Sequence, residues 1–262
     1  MNIGIVTVNY NSFNHLKNFI ESIKNAVIPY PYHIYVVDNN SQDGSKEHIK
    51  NMKYDNVSSV LLDKNIGYGS ALNMILKKIT NKYDYIFISN PDIKVKKDTI
   101  LDMIEYAKKN KDFGIIGPKL IYEDDIVQDS YRRFPNILDL VIKRTFLKKF
   151  FKKRMTRYLM WDKNPDKVEE VDWLVGAFWL LNPEALKEAG CFDERFFLFF
   201  EDVDLSRRIK NKGYKIIYFP KAIANHYHKR LSGGIGIIKI FTKKTVRIHI
   251  VSALKYFIKY IK

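Results

Sequence analysis

The first 118 residues alternate between two hydrophobic periods, and no other feature of the chain constrains its fold as strongly. Residues 3–8 form an apolar run, after which Leu16, Phe19, Ile20 and Ile23 recur at helical spacing. Residues 33–37, 58–62 and 85–89 form three further apolar runs. Ala71, Leu72, Ile75 and Leu76 share one side of a helix expected over 69–78. A helix over 97–110 and a strand over 113–117 complete the series. Strand-helix-strand alternation with short connections predicts an α/β fold: a mostly parallel, Rossmann-like sheet flanked by helices. Ligands of such sheets bind beyond the carboxyl ends of the strands. Three runs here are followed by polar clusters: Asn9-Tyr10-Asn11-Ser12, Asp38 to Ser45, and Asn90-Pro91-Asp92. One polar loop is only the end of a strand. Three on one edge point to a site.

The second half reads differently. Residues 136–161 form a basic, aromatic, helical insert, and residues 171–181 read as one buried strand. Asn182 is placed to cap a helix that has Pro183 in its first turn. A helix over 202–212 ends near Gly213, and a strand follows over 215–219.

The formal net charge is +16, unevenly distributed. Residues 141–158 carry eight Lys or Arg and no acid, and residues 229–262 carry nine and no acid. Such a charge calls for an anionic partner, phospholipid or nucleic acid. Leu147, Phe151, Met155 and Tyr158 share one helical face among lysines. Ile250, Leu254, Phe257, Ile258 and Ile261 form a second stripe. A basic amphipathic helix lies in the plane of an anionic membrane, and that is the reading favoured for the C-terminal tail. The alternative is that these stripes pack on the core or on a second subunit in a homodimer. No helix-turn-helix, zinc-finger or single-strand-binding signature supports nucleic acid. One cysteine, Cys191, excludes a disulfide framework. The N-terminus lacks a signal-peptide pattern and no run of about 18 apolar residues occurs. The expected location is therefore cytoplasmic, peripheral at the inner face of the cell membrane.

Six segments, in order, carry a resemblance. They are Val8-Asn9-Tyr10-Asn11; Val37 to Ser45; Asn65-Ile66-Gly67-Tyr68-Gly69-Ser70-Ala71-Leu72-Asn73; Asn90-Pro91-Asp92; Val175-Gly176-Ala177-Phe178; and Phe192 to Leu205 with its Glu201-Asp202 pair. Together, over about residues 3–232, they resemble the family 2 glycosyltransferases of GT-A fold, and within them the bacterial rhamnosyltransferase-like branch that builds cell-surface polysaccharide. The resemblance implies a nucleotide diphosphate sugar donor (dTDP- or UDP-linked, with L-rhamnose as the sugar of that branch). It also implies a divalent metal, Mg²⁺ or Mn²⁺, inversion at the anomeric carbon, and a glycan or lipid-linked glycan acceptor. The implied organisation is a GT-A domain over 1–232 followed by an amphipathic basic tail over 233–262. Residues 1–118 form its nucleotide-binding half and 119–232 its acceptor-binding half.

Carried onto this chain, the resemblance gives the following roles. Val8, Asn9 and Tyr10 flank the nucleotide. Asp38 accepts the ring N3–H of a pyrimidine, or else it starts an Asx-turn. Asn65, Gly67 and Tyr68 precede a helix, where glycines admit close backbone approach and helix N–H groups face a ligand. Asn90 offers a neutral amide oxygen, or contacts the ribose or sugar. Asp92 supplies carboxylate oxygen to a hard cation, in a motif whose first position holds Asn90 in place of an acid. His226, better placed than His228, joins the metal or the diphosphate. Asp202 is the general base for an acceptor hydroxyl, and Glu201 orients the acceptor or a neighbouring side chain. Trp173 and Gly176 floor the acceptor pocket, unless Trp173 belongs to the core. In isolation, Glu201 and Asp202 would equally serve as first-turn acids on a helix dipole. Two other functions compete with catalysis: nucleic-acid binding through the basic segments, and nucleotide-sugar binding without turnover.

Overall fold

The computed structural model describes residues 1–227 and 244–260. The first half contains β1 (Ile3–Asn9), α1 (Phe13–Lys24), β2 (Tyr32–Asp38), α2 (Ser45–Lys50), β3 (Val57–Leu61), α3 (Tyr68–Ile79) and β4 (Tyr85–Ser89). It continues through β5 (Ile93–Val95), α4 (Thr99–Lys109) and β6 (Phe113–Ile121). The second half runs β7 (Tyr131–Arg132), α5 (Ile137–Arg144), a 3-10 turn (Phe146–Lys149) and α6 (Lys152–Leu159). After these come β8 (Glu169–Val171), β9 (Trp173–Leu174), β10 (Phe178–Leu181), α7 (Pro183–Ala189), α8 (Glu201–Asn211) and β11 (Lys215–His226). The final described element is α9 (Lys244–Tyr260).

The main sheet has the order β3-β2-β1-β4-β10-β6-β11-β5, with β8 alongside β11. Strands β3, β2, β1 and β4 are parallel, β10 runs antiparallel between β4 and β6, and β11 is parallel to β6. This is the mostly parallel, helix-flanked α/β sheet that the hydrophobic runs predict. Alternation along β1 shows why it packs on both faces. Ile3 and Ile5 join the layer holding Leu16, Phe19 and Ile20 of α1, with Ile100 and Ile104 of α4. Val6 and Val8 join the opposite layer with Leu72 and Leu76 of α3 and Leu205 of α8.

Residues 171–181 are not one strand. Trp173 and Leu174 leave the main sheet to pair with Arg132 and Tyr131, and the chain re-enters it only at Phe178. Backbone pairing in a separate ribbon overrides a continuous apolar run. Strand β11 extends seven residues further than its apolar run suggests, to His226, across a register shift between Phe219 and Ile223. Asn182 caps α7 as expected, its side chain accepting from Glu184 N at 3.0 Å.

The basic segments settle in two ways. Met155 and Tyr158 of the first stripe are buried against Ile142, so that face packs inward, while Phe151 stays exposed. The second stripe is divided. Helix α9 buries Val246, Ser252 and Tyr256, and packs Phe257 beside Trp173, Phe196 and Phe200. Val251, Leu254 and Ile258 remain exposed. The helix is fastened by Lys259, which donates to Asp193 (2.7 Å) and to the fully buried Asp204 (2.6 Å), and by Tyr260 OH to Asp204 (2.8 Å). This segment is therefore docked on the domain along one face. His228, Ile261 and the boundary expected at 232/233 lie outside the described residues. Among the described residues, no helix is long and apolar enough to cross a membrane.

Candidate active site

Parallel register places the first polar residues side by side: Asn9 at the end of β1 is opposite Asp38 at the end of β2. Asp38 is fully buried. Its Oδ2 accepts from Asn9 Nδ2 (2.9 Å) and Ser41 Oγ (2.6 Å), and its Oδ1 from Ser41 N (2.9 Å). The carboxylate thus builds the turn after β2. For it to accept a ring N–H as well, that turn must open. Val8 and Asn9 are also buried, whereas Tyr10 is 47% exposed and forms the open rim.

The next residue, Asn39, was missed by sequence reading and ties this edge to the glycine loop. Its side chain donates to Asn65 Oδ1 (3.1 Å) and Gly67 O (3.3 Å) and accepts from Ile66 N (3.0 Å). Gly67 has φ +92°, and a Cβ there would lie 2.4 Å from the carbonyl oxygen of Phe197. Tyr68 N donates to that same oxygen at 3.0 Å. The absence of a side chain lets the loop seat directly on the segment leading to α8.

Three acids act electrostatically on Tyr68. Burial and the charges of Glu201, Asp92 and Asp202 hold its phenol well above its ordinary value, and its hydroxyl donates to Gly176 O at 3.3 Å. Asp92 arrives because β5 pairs with β11 in a register that sets Ile93 opposite His226. The His226 Nε2 to Asp92 Oδ1 distance is 3.5 Å. His226 Nδ1 is 2.8 Å from the Gln128 side-chain oxygen, an acceptor; in the tautomer with the proton on Nδ1, Nε2 presents its lone pair on the Asp92 side. Gln128, buried and 98 positions away, is a second residue that no motif reveals. Asn90 is held through its backbone, N–H to Ala177 O at 2.8 Å.

Glu201 and Asp202 open α8 after Phe199 and Phe200, both in the left-handed region (φ +69° and +68°). Two bulky residues in that conformation mark a strained turn of the kind found at functional sites. The two acids are not equivalent. Asp202 accepts from Val203 N (2.8 Å) and Gly176 N (3.3 Å). Glu201 Oε2 is buried with no donor among the described residues. Burial, then the Asp202 charge, push Glu201 well above the usual carboxylate range, while burial raises Asp202 and its two N–H donors oppose that rise. The pair therefore keeps a proton on Glu201 and the negative charge on Asp202.

A stability test follows from this asymmetry. Glu201 ionises near 4.5 when unfolded and only at higher pH when folded. Its burial thus costs nothing below 4.5, costs progressively more as pH rises towards the folded value, and stays costly above it. Glu201→Gln should raise Tm more at pH 8 than at pH 5. An equal change at both pH values would contradict the assignment of the proton.

The remaining sequence candidates are placed as follows. Gly176 approaches Asp202, where an added Cβ would stand 3.2 Å from the Asp202 Cβ, so it admits the carboxylate. Trp173 is buried, its ring nitrogen donating to Arg133 O at 2.9 Å, and belongs to the core cluster under α9.

Parallel strands ending in polar loops, faced by an acid pair on α8, define a glycosyltransferase of GT-A architecture. Residues 4–167 match the family described as Glycosyl transferase family 2, and the chain belongs to that family. It is 27% identical over 241 residues to N-acetylglucosaminyl-diphospho-decaprenol L-rhamnosyltransferase of Mycobacterium tuberculosis, covering 88% of this chain and 78% of that one. It is also 27% identical over 234 residues to rhamnosyltransferase WbbL of Escherichia coli K12, covering 80% and 82%. Among solved structures, GalNAc-T7 with UDP, GalNAc and Mn²⁺ superposes with TM-score 0.63 at 14% identity, covering 87% of this chain and 44% of that one. TarS 1–349 of S. aureus in complex with UDP gives 0.59 at 15% identity, covering 88% and 62%. The chain spans less than two thirds of either solved chain, and these two likenesses speak to the fold.

Proposed function

We propose that this glycosyltransferase is a rhamnosyltransferase of cell-surface polysaccharide synthesis. In this reading it moves the sugar with inversion from a dTDP- or UDP-linked donor to a hydroxyl of a lipid-linked glycan. The Tyr68 phenol carries the reading: it bonds to Gly176, which in turn donates to Asp202, and it feels the charges of Asp92, Glu201 and Asp202 together, which relates a diphosphate ligand to a base. The nucleotide lies along the rim formed by Tyr10, above buried Val8 and Asn9, with Asp38 and Asn39 fixing that edge and the Asn65–Tyr68 loop.

Asp92 and His226 fit a divalent cation. One carboxylate oxygen and one imidazole lone pair face each other. Among the described residues no group of three or more His, Cys, Asp or Glu is assembled, so diphosphate oxygens and water would complete the shell, as Mg²⁺ and Mn²⁺ permit. When bound, the cation neutralises charge on the leaving diphosphate. Asp202 takes the acceptor hydroxyl proton. The acceptor oxygen bonds to C1 as the C1–O bond to the diphosphate breaks, and that electron pair leaves with the diphosphate. Neutral Glu201 keeps a second negative charge away from the departing anion.

Two surfaces support action at an anionic membrane. Phe146 (72% exposed) and Phe150 (76% exposed) project beside Lys148, Lys149, Lys152 and Lys153, and α9 presents Val251, Leu254 and Ile258. A cytoplasmic, peripheral location fits this arrangement.

The test is a thermal-shift panel of dTDP-, UDP- and GDP-sugars with and without Mn²⁺. A donor at a hundred times its Kd adds about 2.7 kcal/mol of stability. The reading requires a shift from a dTDP- or UDP-sugar that is enlarged by Mn²⁺ and lost in Asp92→Asn. No shift with any nucleotide sugar would overturn it.

A further inference from the structure

Beside the Phe199–Phe200 turn, three elements carry basic side chains that the proposed chemistry does not use. Arg144, at the end of α5, donates through Nη2 to His249 Nε2 of α9 at 2.5 Å. The His249 ring packs on Phe199 and Phe200, with centroids 4.9 Å and 5.3 Å apart. Arg132, on β7, lies 5.1 Å from the ring centre of Trp173. Its Nη2 donates to Asp129 O (3.1 Å), and its Nε is buried with no acceptor among the described residues.

These charges lack acidic partners. Among the described residues, neither Arg132 nor Arg144 has a carboxylate within ion-pair distance. The nearby Asp139 is already taken by Arg154 at 2.7 Å. Arg132 acts electrostatically on Asp202, opposing the rise that burial causes there. Burial and the charges of Arg144, Lys143 and Arg132 push His249 down to about 3, so its ring is neutral. Burial also lowers Arg144. Two half-buried guanidinium groups facing a neutral imidazole are costly without an anion. Planar guanidinium forks suit phosphate oxygens.

We infer that Arg132, Arg144 and His249 form the subsite for the diphosphate of the lipid-linked acceptor, adjoining Asp202. The inference rests on the lipid-linked acceptor reading above. An acceptor sugar carrying a diphosphate spans one ring between its anion and the hydroxyl that reacts, and Arg132 acts electrostatically on both Asp202 and His249. The lipid would leave past Val141 (45% exposed) and Phe146, which flank Arg144 along the chain.

Calorimetry on the full chain tests this, with UDP or dTDP and Mn²⁺ filling the donor position. Farnesyl diphosphate is the probe, with farnesol and phosphatidylglycerol vesicles as the other arms. Farnesyl diphosphate should bind, and Arg144→Gln should weaken it roughly ten- to a hundredfold. Arg144→Lys, which keeps the charge and guards against loss of fold, should weaken it less. Farnesol binding and nucleoside diphosphate affinity should be unchanged in both variants. Unchanged affinity for farnesyl diphosphate, or an equal loss for farnesol, would overturn the assignment. An Arg144 dependence confined to phosphatidylglycerol vesicles would also overturn it, making the cluster a headgroup anchor. If Arg144-dependent diphosphate binding holds while the wild type transfers sugar to no lipid-linked acceptor, the subsite stands and the catalytic reading fails.

Discussion

Asp202→Asn should abolish sugar transfer, with kcat falling roughly 10²- to 10⁴-fold, while nucleoside diphosphate binding is unchanged. The substitution keeps the size of the side chain and one oxygen to accept from Val203 N at the shorter contact, while the longer bond from Gly176 N is lost. It removes the group that takes the proton. Glu201 cannot substitute, because burial, then the Asp202 charge, favour its protonated form, and its Oε2 has no hydrogen-bond partner among the described residues. Single-turnover measurements at saturating donor and acceptor separate this loss from a binding defect. Near-normal turnover in Asp202→Asn would remove the base from the account.

Gly67→Ala should be the most destabilising single methyl addition at the site. The new Cβ would stand 2.4 Å from Phe197 O and 2.9 Å from Phe197 Cα. Both are backbone atoms, held by the bond from Tyr68 N. Backbone strain at φ +92° adds to the clash, for roughly 2–6 kcal/mol together. At about 2–4 °C per kcal/mol, Tm should fall by roughly 5–20 °C. Gly44→Ala is the control: φ is +83° there, but nothing lies within 4 Å of the added carbon, so strain acts alone. A Tm for Gly67→Ala no lower than for Gly44→Ala would show that the loop does not seat on Phe197 as described.

The first half of the fold was legible because its central strands β1 and β4 are buried on both faces and so read as unbroken apolar runs. Strand β5 was not. Its three residues follow Asn90-Pro91-Asp92 and become a strand only by pairing with β11, more than 120 positions later. The same pairing brings His226 to Asp92, so their proximity was an expectation drawn from family resemblance alone. The run over 171–181 misled because apolar content does not reveal which partner a strand chooses. Asp38 was readable as an acid at a strand end, but its enclosure depends on the Asn9–Asp38 register and on Ser41. Gln128 and Arg132 stand in no motif, and Asn39, though inside the Val37 to Ser45 segment, likewise acquires meaning only from neighbours distant in sequence. The C-terminal stripe pointed to an amphipathic helix, yet Tyr256 and Ser252, the residues α9 buries most completely among its central turns, lie outside that stripe.

A crystal structure with UDP or dTDP and Mn²⁺ bound tests the central claim most directly. The account predicts the ion between the diphosphate and the Asp92–His226 pair, with Asp202 facing the terminal phosphate across the space a sugar would fill. A nucleotide seated elsewhere, with Asp202 turned away from its diphosphate, would contradict it.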